Sequence, residues 1–341
     1  MLDERSGVRN RSLLGLGIGG LIVLSLLLPA VGLVVLKMLP FDNKSEFQVI
    51  VDMPAGTPLE QTDAVMRELG AYLVKQPEVT TYQTYAGTAA PINFNGLVRQ
   101  YYLRASGELG DIQVNLVDKH QRSDKSHAIA ARLRPELQKI GARFGANVKV
   151  VEVPPGPPVL SPIVAEIYGP EPEGRLSVAK QVREVFAKTQ GIVDIDDSSI
   201  AAAPRKLLLI DRRKAAMLGV PQQTIVSTLR TALSGEIGAY LHDQSKYPAP
   251  ALIQMPQDLH GELDTLLQMK VRSAAGPLVP VRELVTITDS QREQPVYHKD
   301  LLPVNFVVAD MSGKNDSPLY GMFGMRSELA RLKMPDGGAL Q

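Results

Sequence analysis

The chain has 341 residues, 37 of them Lys or Arg against 36 Asp or Glu, for a formal net charge of +1. So even a balance argues against a nucleic-acid partner, which calls for a basic patch or stripe. Cysteine and tryptophan are both absent, which excludes a disulfide framework and a thiolate metal site and leaves each domain to be held by its own core.

An uncharged apolar run over 12–36 follows Arg5, Arg9 and Arg11. As a helix it is about 37 Å long at about 1.5 Å per residue, enough to cross a hydrocarbon core of about 30 Å with some tilt. A cleaved signal peptide shares the basic start, but its apolar stretch is usually about 7 to 15 residues, so a membrane anchor is the expectation. Arginines on one side only predict a cytoplasmic segment at 1–11 and an outer-face location for everything after Lys37, which can snorkel to the boundary. Gly15 to Gly20 spells GxGxxG, but no strand leads into it and a nucleotide loop is not indicated; Gly15 and Gly19 also make GxxxG, which permits close helix approach. The run contains no acid, base or histidine, and hence no proton or ion relay.

Beyond the anchor about 300 residues remain, two or three compact units by the usual domain size. Alternation of Phe47, Val49 and Val51 predicts a strand. Thr57-Pro58-Leu59-Glu60 then reads as N-cap, first-turn proline and capping-box glutamate of a helix whose core face carries Leu59, Met66, Leu69 and Leu73. Strands are expected at 79–85, 98–104 and 112–117, a helix over 126–140 that Pro135 kinks or restarts, and a strand at 148–153. The order is that of a split βαβ sandwich of ferredoxin-like type, spanning 44–153.

A stiff Pro-rich connector occupies 154–161, and the pattern begins again with a strand at 163–168, a helix over 175–189 and a strand at 192–196. Its second half is postponed to a strand at 304–310 and a helix over 319–332, and the last strand is expected to be truncated. Between the halves lies an α+β insert: a strand at 206–210, a short helix capped by Asp211 and closed by Gly219, a second helix to Gly235, further strands, and a hairpin around 273–277.

This organisation and several words in the sequence resemble the second half of the resistance-nodulation-division (RND) efflux permeases. Leu39-Pro40 leading through FQVIVDMPAGT at 47–57 resembles a membrane-helix exit and the first strand of the periplasmic porter region. IDRRKAAMLGV at 210–220, TLRTALSG at 228–235 and VPVREL at 279–284 are similar to the family's docking domain. The resemblance implies an α+β protein with one transmembrane helix and two βαββαβ porter subdomains, at 44–153 and at 162–204 with 300–341, the second interrupted by a docking insert at 205–299. It further implies the bacterial inner membrane with the bulk in the periplasm, a homotrimer of the complete permease, and an adaptor protein and outer-membrane channel as partners. Small hydrophobic or amphiphilic substrates, contact with lipid, no cofactor and no enzymatic step complete that picture. Family members couple export to proton entry through buried charges in further membrane helices, so this chain is expected to be a fragment or split product whose mechanism is completed elsewhere. A single-pass periplasmic scaffold and a heavy-metal exporter are the rival readings.

Asp194, Asp196 and Asp197 form the densest acidic cluster, and without a glycine-bearing calcium loop around them a solvated strand end is the expectation. His120, His127, His242, His260 and His298 lie apart and are expected at the surface; no metal site is indicated. Met53, Met66, Met217, Met255, Met269 and Met311 fall in separate elements as core filler, although converging thioethers would suit monovalent copper or silver. No serine, histidine and acid order with a nucleophile turn is present. The loop from Gly87 to Gly96 carries Pro91, Ile92 and Phe94 among small residues, an apolar group suited to substrate contact, with Gly87 and Gly96 as hinges. In RND pumps the matching loop resembles a switch between substrate pockets.

Overall fold

The computed structural model describes residues 7–31, 33–36, 42–153, 159–313, 316–334 and 338–341. Arg5, Lys37, Leu39, Pro40 and the core of the Pro-rich connector, 154–158, lie outside the described residues. The first element is helix α1, Gly7–Ala30, and its stretch Gly7–Pro29, with mean hydropathy 2.2 and no buried residue in its apolar window, is long and apolar enough to cross a membrane. It starts and stops about one turn earlier than the apolar run implies. Val31 closes the last regular bond, to the Leu27 carbonyl, and the N–H groups of Leu33 and Val34 then converge on the Leu28 carbonyl, which ends the helix.

The chain divides into two units, Met1–Ala201 with Gln294–Gln341 and Ala202–Glu293. In the first, β1 (Glu46–Asp52), α2 (Leu59–Leu73), β2 (Val79–Ala86), α3 (Phe94–Val98), β3 (Leu109–Leu116), α4 (Ser126–Ala142) and β4 (Asn147–Val151) follow in sequence. The strands form an antiparallel sheet in the order β2-β3-β1-β4, the βαββαβ arrangement expected from sequence. Phe47, Val49 and Val51 face Met66, Leu69, Leu133 and Leu137 of α2 and α4, and these side chains are sealed from solvent. Burying each contributes about 1.5 to 3 kcal/mol relative to exposure.

Local readings need four corrections here. Helix α2 begins at Leu59, with Pro58 as its unbonded N-cap; the Thr57 hydroxyl donates instead to the Pro54 carbonyl at 2.6 Å, and Leu59 is exposed. Pro135 lies inside α4 without interrupting it. Residues 98–104 are not a strand: they end α3 and continue into a 3-10 turn at Tyr101–Leu103, because Asn93 caps α3 and Gln100 turns left-handed, at φ 60°. Asp194 and Asp196 are ion-paired across a subdomain boundary, Asp196 keeping partial exposure, and Asp197 pairs with Arg183 of its own subdomain, so the cluster is not a free solvated strand end.

The pattern repeats with β5 (Ile163–Tyr168), α5 (Pro172–Lys188) and β6 (Ile192–Asp197). Then comes the second unit, with β7 (Pro204–Ile210), α6 (Arg212–Met217), α7 (Gln222–Ser234), β8 (Glu236–Leu241), β9 (Ala249–Ile253), α8 (Leu263–Gln268), β10 (Lys270–Arg272), β11 (Leu278–Pro280) and β12 (Val285–Gln291). Its own core gathers Ala215, Val220, Ile225, Val271, Val281 and Leu284, while β8 and β9 form a hairpin with Ile237, Tyr240, Leu252 and Ile253 exposed. Asp211 caps α6 by accepting the Lys214 N–H at 3.0 Å, and Gly219 closes it at φ 64°.

The first unit resumes with β13 (Tyr297–Lys299), β14 (Leu302–Met311), α9 (Pro318–Leu329) and β15 (Ala339–Leu340). β13 pairs with β14, so 294–299 belong to this unit and not to the insert. β14 lies between β5 on one side and β6 on the other, and the two residues of β15 pair with Tyr168 and Ile167 of β5, where a fourth strand belongs. Ile167, Val182, Phe186, Val307 and Met325 form the core under α5 and α9.

Candidate functional site

The loop that follows β2 is fastened to the first subdomain at both ends by one carboxylate. Asp111, on β3 and almost fully buried, accepts the Ala90 N–H through Oδ2 at 3.0 Å and the Arg104 Nε through Oδ1 at 3.2 Å. Arg104 also reaches Asp52 at 2.6 Å and the Val51 carbonyl at 3.0 Å. Gly87 is left-handed, at φ 70°, where its N–H meets the Leu109 carbonyl, a conformation that favours glycine. Gly96 sits inside α3 with its N–H held by Asn93 Oδ1 at 2.7 Å; the left-handed residue at the far side is Gln100.

Between those anchors the apolar side chains point outward. Ile92 is 72% exposed, Phe94 44% and Leu97 57%, with Pro91 exposed beside them. Phe94 is thus no part of the subdomain core. Such a group of exposed apolar side chains on a loop is what an apolar ligand or partner would contact.

The two subdomains meet through charged side chains of β4, of α4 and of the segment just past α3. Lys149 of β4 pairs with Asp52 at 2.5 Å and with Asp196 of β6. Arg134 of α4 pairs with Asp194 at 2.9 Å, and Gln138 donates to the other oxygen of that carboxylate at 3.1 Å. Asp194 holds a left-handed backbone, φ 53°, at the bulge where β6 shifts register against β14, which aims its carboxylate at α4. Arg99, just past α3, pairs with Asp310 of β14 at 3.3 Å.

Burial pushes the Asp52 carboxyl up, but the Lys149 and Arg104 cations outweigh it and hold it lowered to about 2. At Asp194 burial wins over Arg134, and the group is raised to about 6. Burial disfavours the Lys149 and Arg99 charges, yet their carboxylate partners raise both above the ordinary range. His127, expected at the surface, is instead half-buried with Glu152 at 2.7 Å from Nδ1 and Asp316 at 3.4 Å from Nε2. The Glu152 hydrogen bond, against the cost of burial, raises its pKa.

A cavity of about 1180 Å³ opens beside β5, lined by Val98 and Gln100 of the loop and by Phe186, Tyr297, Phe306 and Phe323. Pro91, Ile92 and Phe94 are not among its lining residues. Met322, Met325 and Met334 also line it, three methionines that sequence reasoning did not single out because they sit in one helix and the segment after it. Met53 and Met66 fill the first core and Met311 the second. Among the described residues no group of three or more His, Asp and Glu side chains converges to hold a metal ion.

The model of the AcrB/AcrD/AcrF family matches residues 5–339. Crystal structures of a heavy metal efflux pump in two crystal forms superpose with TM-scores of 0.72 and 0.74 at 16% and 15% identity. Each match covers 97% of this chain and 34% of the pump, so the chain spans about one third of that protein's length. The family match over nearly the whole chain, the helix able to cross a membrane and the two βαββαβ sheets place this chain in the AcrB/AcrD/AcrF family of RND efflux permeases.

Proposed function

We propose that this chain is the periplasmic porter and docking portion of a proton-driven inner-membrane efflux transporter for hydrophobic or amphiphilic compounds. The observation that carries the reading is the loop with Ile92, Phe94 and Leu97 exposed between fixed anchors, beside a largely apolar cavity. In this reading α1 crosses the inner membrane with its N-terminus in the cytoplasm, and the porter subdomains and the insert lie in the periplasm. The cleft between the subdomains opens and closes under motions generated in other membrane helices, since α1 offers no intramembrane charge from Ser12 onward. No covalent step is required of the chain. The insert serves assembly into a trimer capped by adaptor and outer-membrane channel, which its separate core and exposed β8–β9 hairpin support.

Phe94→Ala in the complete permease tests the reading: the range of exported compounds should narrow or shift while the amount in the membrane stays constant. An unchanged range at equal abundance overturns it.

Export of monovalent copper or silver is the second reading, favoured by Met322, Met325 and Met334 around one cavity, since thioethers suit soft cations. Replacing all three by Leu separates the two readings. Metal tolerance falls if the cavity handles metal and is unaffected if it handles amphiphiles.

A further inference from the structure

Arg99 differs from the other charges at the subdomain boundary in where it is mounted. Lys149 and Arg134 project from β4 and α4, so their pairs join one packed layer to another. Arg99 instead belongs to the exposed apolar loop, and its backbone N–H bonds to the Asn95 carbonyl at 2.8 Å, which mounts its side chain on the last turn of α3. Its partner Asp310 lies between Ala309 and Met311, both in the second core, at the point where β14 shifts register against β6. One end of the pair therefore moves with Phe94 and Ile92, and the other moves with the second subdomain.

The pair is poorly built as an adhesive. Both oxygens of Asp310 are approached by the same nitrogen, Nη2, at 3.3 Å, and Arg99 Nε is buried without a hydrogen-bond partner. Side chains of this kind, 6% and 9% exposed, lose hydration that this contact and the neighbouring Tyr101 replace only in part, and apolar replacements of similar volume are often neutral or stabilising. What the pair supplies is register between two bodies.

We propose that Arg99 is a positioning residue: through Asp310 it makes the apolar loop follow the second subdomain, so that opening the cleft moves Ile92 and Phe94. The stretch that follows lies between Ala90, held to the first subdomain by Asp111, and the left-handed Gln100, with Asn93 on Gln113 as the bond it works against. This rests on the reading of the loop as a substrate gate, but it is tested without export.

The cysteine-free 341-residue chain in detergent takes a nitroxide label at Ile92→Cys, or at Glu173→Cys on α5 as a control. Arg99→Gln should shorten the rotational correlation time at position 92 severalfold and leave position 173 unchanged. Arg99→Lys should keep most of the immobilisation, and the exchange Arg99→Asp with Asp310→Arg should restore it in part. The near-isosteric Asp310→Asn gives a second route to the same loss if Arg99→Gln accumulates poorly. A loop equally immobile in Arg99→Gln and in Asp310→Asn overturns the proposal, as does equal loosening at positions 92 and 173, which marks a merely structural pair. A freed loop together with an unchanged export range for Phe94→Ala removes the gate and keeps the tether. An unmoved loop removes the tether whatever Phe94 does.

Discussion

Lys149, its side chain 2% exposed, lies between Asp52 of the adjacent strand and Asp196 of the second porter subdomain. Asp52 has a second cation in Arg104, whereas Asp196 meets Lys149 across the boundary. Removing one member of a buried pair costs about 3 to 5 kcal/mol because a charge is left without compensation. Asp196 is 29% exposed and keeps some solvent, so Lys149→Met should lower the unfolding free energy by about 3 kcal/mol. Urea titration of the two proteins checks this, and a loss under about 1 kcal/mol would mean that water already screens the pair.

Asp194 and Asp52 predict opposite pH responses. The folded-state value of Asp194 is raised from 3.8 to about 6. Between those values the folded chain holds a proton that the unfolded chain releases, so this group's contribution to stability is greatest below about 4 and falls as pH rises to about 6. At about 1.4 kcal/mol per unit that is about 3 kcal/mol. Asp52, lowered to about 2, stabilises above 3.8 and loses that contribution only as pH falls further. Comparing Asp194→Asn with the parent from pH 4 to 6 isolates the first effect: the variant should lack the downward slope, and parallel curves would show that Asp194 is ionised throughout.

His127 should titrate above the ordinary histidine range, with Glu152 as the main cause. Its stabilising contribution is then fully present below pH 6.5 and is lost as pH rises through the folded value. Glu152→Gln should lower the His127 pKa, measured by the imidazole proton shifts, by more than Asp316→Asn does. An equal or smaller effect of Glu152→Gln would contradict the 2.7 Å contact as the dominant one.

What the sequence revealed and what it hid divide along the same boundary. Alternation at Phe47, Val49 and Val51 and helical spacing at Met66, Leu69 and Leu73 report contacts within one layer pair, and the first βαββαβ unit was legible from them, as the second was from its strand at 163–168 and the helical spacing of Ala179, Val182 and Phe186. Asp194 and Asp196 looked solvated because their partners, Arg134 and Lys149, are 60 and 47 residues away and belong to another subdomain. No local period records that pairing. The turn at Gln100 was hidden for a related reason: Val98, Tyr101 and Tyr102 give residues 98–104 a strand-like composition, but burial of Arg99 against Asp310 and the Asn93 cap decide the backbone. The exposed position of Phe94 agrees with its place in a loop of small residues between Gly87 and Gly96, but the anchors that hold it there are tertiary.

Gly70 offers a test of how closely the first subdomain is packed. In an exposed helix, Gly→Ala gains about 1 kcal/mol of helix propensity. On α2, however, a Cβ at Gly70 would stand 2.6 Å from the ring of Tyr82 on β2, and overpacking of this kind costs about 1 to 3 kcal/mol. Gly70→Ala should therefore destabilise the chain despite the better helix former. Tyr82→Leu removes the obstructing ring edge, so Gly70→Ala should become neutral or stabilising in that background. Unfolding free energies of the four proteins give the coupling, expected to be about 1 kcal/mol or more. Stabilisation by Gly70→Ala alone would mean that Tyr82 swings away without cost and that helix and sheet do not approach this closely.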